Sequence, residues 1–341
     1  MYRDIFARVI SIRIVPLLVL ALWSCRPAVA DPEPRLLFRA GFSNAAIRQP
    51  QDCWDTGCWQ DIAGSDRATG FEWPPRLRRG TGRFLLIADP VRIDALSIQQ
   101  YMRNRVENVE GPRAGRTGVL YQEITKTING QAPMGGSAAQ NEFQFLPIDN
   151  AEELYVSYWI KLQPDLVERM THLPPGPGID RGGTWRAIFA FKTGGQRDIG
   201  GPQNDGDYRV EAYVMTYGSD TPYWVVLGDN NAGGGAPLKN DWRIADHSLP
   251  VPVGRWFKFE VYWRRSDGAD GRVWAAVDGH TIADRQGPNM GARNLPINRI
   301  MAPMLYTGQR MPAYQWIDDL QVWTGIPSTS KAPATLPGSD R

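Results

Sequence analysis

Between residues 254 and 282 the chain reads GRWFKFEVYWRRSDGADGRVWAAVDGHTI, and this stretch restricts the fold more than any other. From Trp256 the residues alternate. Phe257, Phe259, Val261 and Trp263 share one face; Trp256, Lys258, Glu260, Tyr262 and Arg264 share the other. A period of two is that of a strand, whose successive side chains point to opposite faces. Residues 266–271 (SDGADG) are turn chemistry, 272–277 return as a second strand, and Asp278-Gly279 tolerates the positive φ of a tight hairpin. The stretch therefore predicts a β-meander. Its polar face holds Trp, Tyr, Lys, Glu and Arg rather than Ser and Thr, which marks it as a surface built for contact.

Comparable strands are read at 36–42, 83–88, 118–125, 141–145, 154–162, 185–192, 208–217, 223–227, 299–306 and 315–323. Gly and Pro punctuate them, and the chain is rich in Trp (13) and Gly (35), a pattern of sandwiches rather than helical domains. No linker interrupts 31–324. The expectation is one all-β domain, a two-sheet antiparallel jelly-roll sandwich of roughly a dozen strands, with 36–42 lying beside 315–323. Residues 92–107, where Ile93, Leu96 and Tyr101 recur at loose helical spacing, are expected to form a helix. The segment 51–75 reads as a long ordered loop. Residues 172–183 and 228–237 are Pro/Gly-rich loops, and 325–341 a disordered tail.

The first thirty residues read as an export signal. Arg3, Arg8 and Arg13 precede the apolar run 14–23, and Ala28-Val29-Ala30 is a cleavage site that places the mature start at Asp31. That run is too short for a membrane span. Lipidation at Cys25 is the rival reading, disfavoured by Trp23 close before it. Export to the periplasm or outside leaves Cys53 and Cys58 in an oxidising compartment, where they are expected to pair and pin 51–75. Cleavage removes four arginines and Asp4, changing the net charge from +2 to −1. Without a basic stripe, nucleic acid is not an expected partner.

Several chemistries are excluded by what is missing. There are three histidines, His172, His247 and His280, with no G-x-S-x-G elbow and no H-E-x-x-H. No phosphate-cradling loop precedes a helix, so nucleotide is not an expected ligand. Two cysteines without a nearby histidine cannot fill a zinc site. Asp318 and Asp319 are adjacent, so as strand residues they point to opposite faces, and they read as structural. No cofactor is expected, with a structural cation such as calcium as the alternative at these aspartates.

The order LYVSYWIKL, WRAIFAFKT, DYRVEAYV, the meander and QWIDDLQVW resembles concanavalin A-like jelly-roll proteins, and within them polysaccharide lyases of the heparin lyase I and alginate/glucuronan lyase type. The resemblance covers roughly residues 118–323. It implies a sheet face that binds an acidic polysaccharide, with a cation on the uronate carboxylate and a His or Tyr removing the C5 proton. By position, NEFQF stands where those lyases carry Arg-x-Glu-Leu-Arg, and Glu142 is the matching residue. WRAIFAFKT stands where they carry Gln-x-His, with Ala190 and Lys192 at the polar positions. Tyr306 matches the tyrosine of the terminal strand.

Two functions follow as expectations. The first is carbohydrate binding by a face bearing Glu142, Gln144, Arg186, Lys192, Arg209, Glu211, Tyr213 and Tyr306. Shared parity of Arg186 with Lys192, and of Arg209, Glu211 and Tyr213, would gather these on neighbouring strands. The second is β-elimination, with Arg186 or Lys192 holding the uronate and Tyr306 or Tyr213 moving protons. A structural envelope protein without a ligand is the remaining alternative.

Overall fold

The computed structural model of the chain describes residues 33–54, 57–77, 80–88, 94–126, 139–146, 151–170, 184–194, 206–230 and 239–332. The expected leader, the loop 172–183, most of the loop 228–237 and the end of the tail lie outside the described residues.

The strands in chain order begin with β1 Leu36–Ala40, β2 Ala45–Ile47, β3 Asp52–Trp54, β4 Gly57–Gln60, β5 Ile62–Ser65, β6 Glu72–Trp73, β7 Arg76–Leu77 and β8 Gly80–Ile87. The middle of the chain supplies β9 Met102–Glu110, β10 Arg116–Ile124, β11 Ala139–Leu146, β12 Glu153–Leu162, β13 Trp185–Gly194, β14 Gly206–Met215 and β15 Tyr223–Asn230. Then come β16 Lys239–Asp246, β17 Trp256–Arg264, β18 Arg272–Val277, β19 His280–Gln286, β20 Ile297–Thr307 and β21 Ala313–Trp323. Among the described residues no helix is long and apolar enough to cross a membrane.

One sheet runs β19-β18-β17-β12-β21-β10-β9, with β1 also paired to β21. The other runs β16-β15-β14-β13-β20-β11-β8-β4-β3, with β7 beside β8, and β2, β5 and β6 form a small third sheet. The first sheet turns Phe257, Phe259, Val261 and Trp263 inward against Phe189, Phe191, Val210 and Trp224 of the second, all in one buried core. The rings meet at 6.0 Å for Phe189 and Phe259 and at 5.7 Å for Trp224 and Phe257. The fold is thus the all-β antiparallel sandwich of jelly-roll type that the alternation predicts. The first and last strands meet as expected, since β1 pairs antiparallel with β21. The hairpin at Asp278 (φ 51) and Gly279 (φ 75) takes the positive φ its sequence allows.

Four expectations need correction. Residues 94–107, the described part of the expected helix 92–107, are not one helix: a single 3-10 turn at Ile98–Gln100 leads into β9. Met102 and Asn104 point inward while Arg103 and Arg105 are exposed, so the period is two, disguised by the charge density of an edge strand. The strand β16 was missed for a related reason. It too lies at a sheet edge, with only Trp242 and Ile244 as large apolar residues. Residues 51–75 are not a loop. They hold β3 to β6, and the Cys53–Cys58 disulfide joins directly opposed residues of the β3–β4 hairpin.

The fourth correction concerns the polar face of the meander. Glu260 and Tyr262 are buried there, beside Tyr155, Trp274 and Ala276. Trp323, Ile326 and Ala332 pack over them, so the described part of the expected tail, 325–332, covers this face. Tyr155 donates to Glu260 (2.6 Å), which also pairs with Lys258 (3.0 Å). The surface expected to touch a ligand touches the chain's own tail.

Candidate functional site

The outer face of the second sheet is organised in rows set by strand register. Asp229 on β15 stands opposite Arg209 on β14, Arg209 opposite Lys192 on β13, and Lys192 opposite Arg299 on β20. Opposed residues in an antiparallel pair share a face, so one row carries three cations and a carboxylate. The next row runs Leu227, Glu211, Ala190, Met301, Gln144 and Arg83. Glu142 and Met304 are opposed beside it, and Tyr213, Ala187, Tyr306 and Gln140 complete the face. Lys192, Arg209, Glu211, Tyr213, Glu142, Gln144 and Tyr306 are therefore brought together, as expected. Phe143 and Phe145 fill the core on the opposite side of β11.

Charge on this face is densely compensated. Arg209 contacts Asp229 at 2.7 Å and Glu211 at 3.1 Å, and Tyr213 donates to Glu211 at 2.7 Å. Gln144 donates to Glu142. The ring of Trp185 meets Tyr306 edge-on at 4.7 Å and Tyr213 at 6.0 Å, forming an aromatic wall. Lys192 is a cation whose charged form this face disfavours. Burial, with repulsion from Arg209 and Arg299, pulls its amine down from 10.5 to about 8, against the pull of Glu211 and Glu142. Tyr306 moves the other way, pushed up to about 12 by burial and by Glu211. Burial raises Tyr213 as well, and Glu211 adds to it. At neutral pH both tyrosines hold their protons, so they can donate them but not accept one.

Arg186 is not on this face. A β-bulge between Ala187 and Phe189 inserts one residue into β13, so parity changes along the strand. Lys192 then points outward with Ala190, while Arg186 points inward. The Arg186 guanidinium is fully buried and reaches the other sheet, donating to Gln163 (3.0 Å), Gln315 (2.9 Å) and the carbonyl of Tyr314 (2.8 Å). It is a tie between sheets, and the expected glycan contact through Arg186 is withdrawn. The bulge itself has a partner across the core. Tyr158 of β12 donates its buried hydroxyl to the carbonyl of Ile188 at 2.7 Å. A carbonyl displaced from the ladder is costly when left unpaired.

A second bulge on β20 does the reverse. Glu142 is opposite Met304, but Gln144 is opposite Met301, so an extra residue sits at 302–303. Counted along an unbroken strand, Arg299 and Tyr306 would face opposite ways; the bulge puts both outward. Sequence reasoning missed Arg299 for this reason, and missed Asp229, Gln140 and Trp185 with it. Pro303 was the available signal, since proline inside a central strand marks a bulge.

Elsewhere, His280 is exposed, and His247 stacks on Tyr223 with 4.0 Å between ring centres. Asp319 takes a positive φ of 47 in β21 and pairs with Arg39 (2.9 Å) and Arg113. Asp318 is pushed up to about 6 by burial, with Asp319 and Asp66 nearby. Among the described residues no group of three or more His, Cys, Asp or Glu side chains is arranged to hold a metal ion.

No family model and no curated protein matches the chain. In structure it is similar to an endo-β-1,4-glucuronan lyase from the fungus Trichoderma reesei, with TM-score 0.42 and 14% identity over 65% of this chain and 89% of the other. It is similar to the alginate lyase Aly36B, with TM-score 0.41 and 15% identity over 60% and 80%. A PL-14 alginate lyase from Aplysia kurodai gives TM-score 0.40 and 7% identity over 65% and 87%.

Proposed function

We propose that the outer face of the second sheet binds a uronate-containing polysaccharide and cleaves it by β-elimination. The observation that carries this reading is Lys192, an amine drawn down to about 8 on a face that also holds Arg209, Arg299 and Tyr306. Elimination needs a base at C5, a positive group at the uronate carboxylate and a proton for the leaving oxygen. Neutral Lys192 serves as the base. Arg299, opposite it, receives the carboxylate by a charge-assisted bond. Tyr306, held protonated, serves as the acid, and Trp185 fixes its ring. Strongly perturbed groups gathered on one face are a recognised mark of chemistry.

The roles differ from those expected from sequence: Lys192 replaces a tyrosine as base, and Arg186 drops out. Ultraviolet absorbance of the unsaturated uronate product tests the reading on alginate, glucuronan and heparin. A rate that rises through pH 8 and levels off above it supports Lys192 as base, because only the deprotonated amine can accept the C5 proton. Binding without any unsaturated product overturns the elimination step. That outcome would favour a second reading, non-catalytic glycan binding. The observation behind it is charge balance, since Lys192, Arg209 and Arg299 are matched by Glu142, Glu211 and Asp229. A balanced face suits sugar hydroxyls, which both donate and accept. Export to the periplasm or outside, where such polymers occur, is part of the same proposal.

A further inference from the structure

The disulfide-closed hairpin β3–β4 lies on the same sheet as the proposed site and turns its tryptophans to the same face. Cys58 points into the core, so Gly57 and Trp59 point outward. Leu85 stands between Trp59 on one side and Glu142 on the other. The row that carries Met304 and Glu142 therefore continues without a break through Leu85 to Trp59. Trp54 is opposite Gly57, and its ring lies so close over that glycine that a Cβ there would fall 2.4 Å from the indole. Trp54 is thereby laid against the hairpin, its ring 6.2 Å from Trp59, and it remains half-buried. Arg83 caps Trp59 at 5.8 Å and is fixed by Asp61 at 2.8 Å and by Asp52. The ring is held by a covalent clamp, a glycine seat and a neighbouring indole.

We propose that Trp54 is a distal subsite that stacks a pyranose ring of the polysaccharide bound at Lys192 and Arg299. The occupant is the same glycan chain, because the two features lie on one face. Four interstrand steps separate Arg299 on β20 from Trp54 on β3, or about 19 Å at the usual strand spacing. An extended glycan repeats at close to one strand spacing per sugar, so Trp54 meets a residue several units from the cleaved bond. Aromatic faces suit the C–H face of a pyranose, and the clamp keeps the ring ordered before binding, which lowers the entropy cost. This inference rests on the proposed glycan site.

The test is calorimetric binding of alginate and glucuronan oligomers, trimers and octamers of each, at pH 6, where Lys192 is protonated and turnover is suppressed. Wild-type protein is expected to bind octamers more tightly than trimers. Trp54→Leu keeps an apolar side chain over Gly57 but removes the ring face. It should weaken octamer binding roughly three- to tenfold and leave trimer binding unchanged. Trp54→Phe should restore part of the loss. Equal weakening of both lengths, or none, with trimer binding intact in the wild type, overturns the subsite and leaves the glycan site standing. No binding of any oligomer by the wild type overturns the glycan site and the subsite together.

Discussion

The two sheets present outer faces of similar composition and opposite fate. Each has buried tyrosines, a buried glutamate and a lysine in contact with it or near it. On the first sheet Tyr155 and Lys258 converge on Glu260, and Ile326 and Ala332 of the tail close the cluster. On the second, Glu211 holds Tyr213 and Arg209, and Lys192, with two arginines and two carboxylates around it, carries a pKa lowered mainly by burial. Lys258 has a carboxylate at 3.0 Å, the ordinary arrangement of a structural ion pair. Lys192 stands among two arginines and two carboxylates, and its burial disfavours the charged form, which costs stability. The comparison teaches that aromatic and charged residues on a strand face do not by themselves mark a binding surface. What separates the faces is whether the charges are settled within the fold.

The most direct way to break the comparison is Lys192→Met. If Lys192 is the base, turnover should fall by about 10²- to 10⁴-fold, the usual contribution of a general base. Stability should not fall with it. The folded-state pKa of about 8 lies below the ordinary 10.5, so at pH 7 the folded state keeps that proton at a cost, and the cost disappears only as pH rises through and above that range. A thermal midpoint unchanged or raised at pH 7, together with lost turnover, is the expected pair of results. A lysine that merely supported the sheet would give the reverse.

Arg186→Met should show the opposite signature. The variant removes the donors to Gln163, Gln315 and the Tyr314 carbonyl in the dry space between the sheets. A loss of about 3 kcal/mol in urea unfolding is expected, from acceptors left without partners. Binding of glycan by the folded fraction should be unchanged, since the side chain is on the far side of β13. Weakened binding at unchanged stability would return Arg186 to the site.

How far all this was legible in the sequence follows from the two bulges. Strand identity and inward residues were readable wherever alternation ran unbroken, as in β12, β14 and β17, and there Glu211, Tyr213 and Arg209 were placed on one face correctly. On β13 and β20 one inserted residue shifts the count, so Arg186 was placed on the wrong face and Arg299 was not seen. Parity is a local rule, and a bulge is stabilised by a partner remote in sequence. Tyr158 and Ile188 are thirty residues apart. The edge strands β9 and β16 were obscured for a different reason: one side faces water, so charge replaces the apolar half of the pattern. The closing of the first sheet by the tail rests on Ile326 and Ala332, two modest apolar residues in a Pro/Ser/Thr segment whose composition reads as disordered.

Tyr158→Phe tests whether the β13 bulge is held from across the core. The ring stays and only the donor to Ile188 is lost, so the expected cost is about 1–3 kcal/mol, the range for one buried group left unsatisfied. Because the bulge sets which way Lys192 points, turnover should also fall, with the pH at which the rate rises moving toward the ordinary lysine range. An effect on stability with an unmoved pH profile would mean that the bulge persists without its partner.

The smallest expected effect belongs to the closed face. Ile326 is partly buried against the cluster of Tyr155, Tyr262 and Trp274. Shortening it in Ile326→Ala removes three carbons from that contact, worth roughly 1 kcal/mol at partial burial. The loss should appear in urea unfolding, and binding of a hydrophobic dye should rise as the tail loosens from the indole of Trp274. Glycan binding and turnover should be untouched, because the second sheet's outer face lies on the other side of the sandwich. If Ile326→Ala instead leaves stability unchanged and creates or strengthens glycan binding, the tail is a cover over a second ligand face. The contrast between a settled and an unsettled sheet would then be one of occupancy rather than of charge.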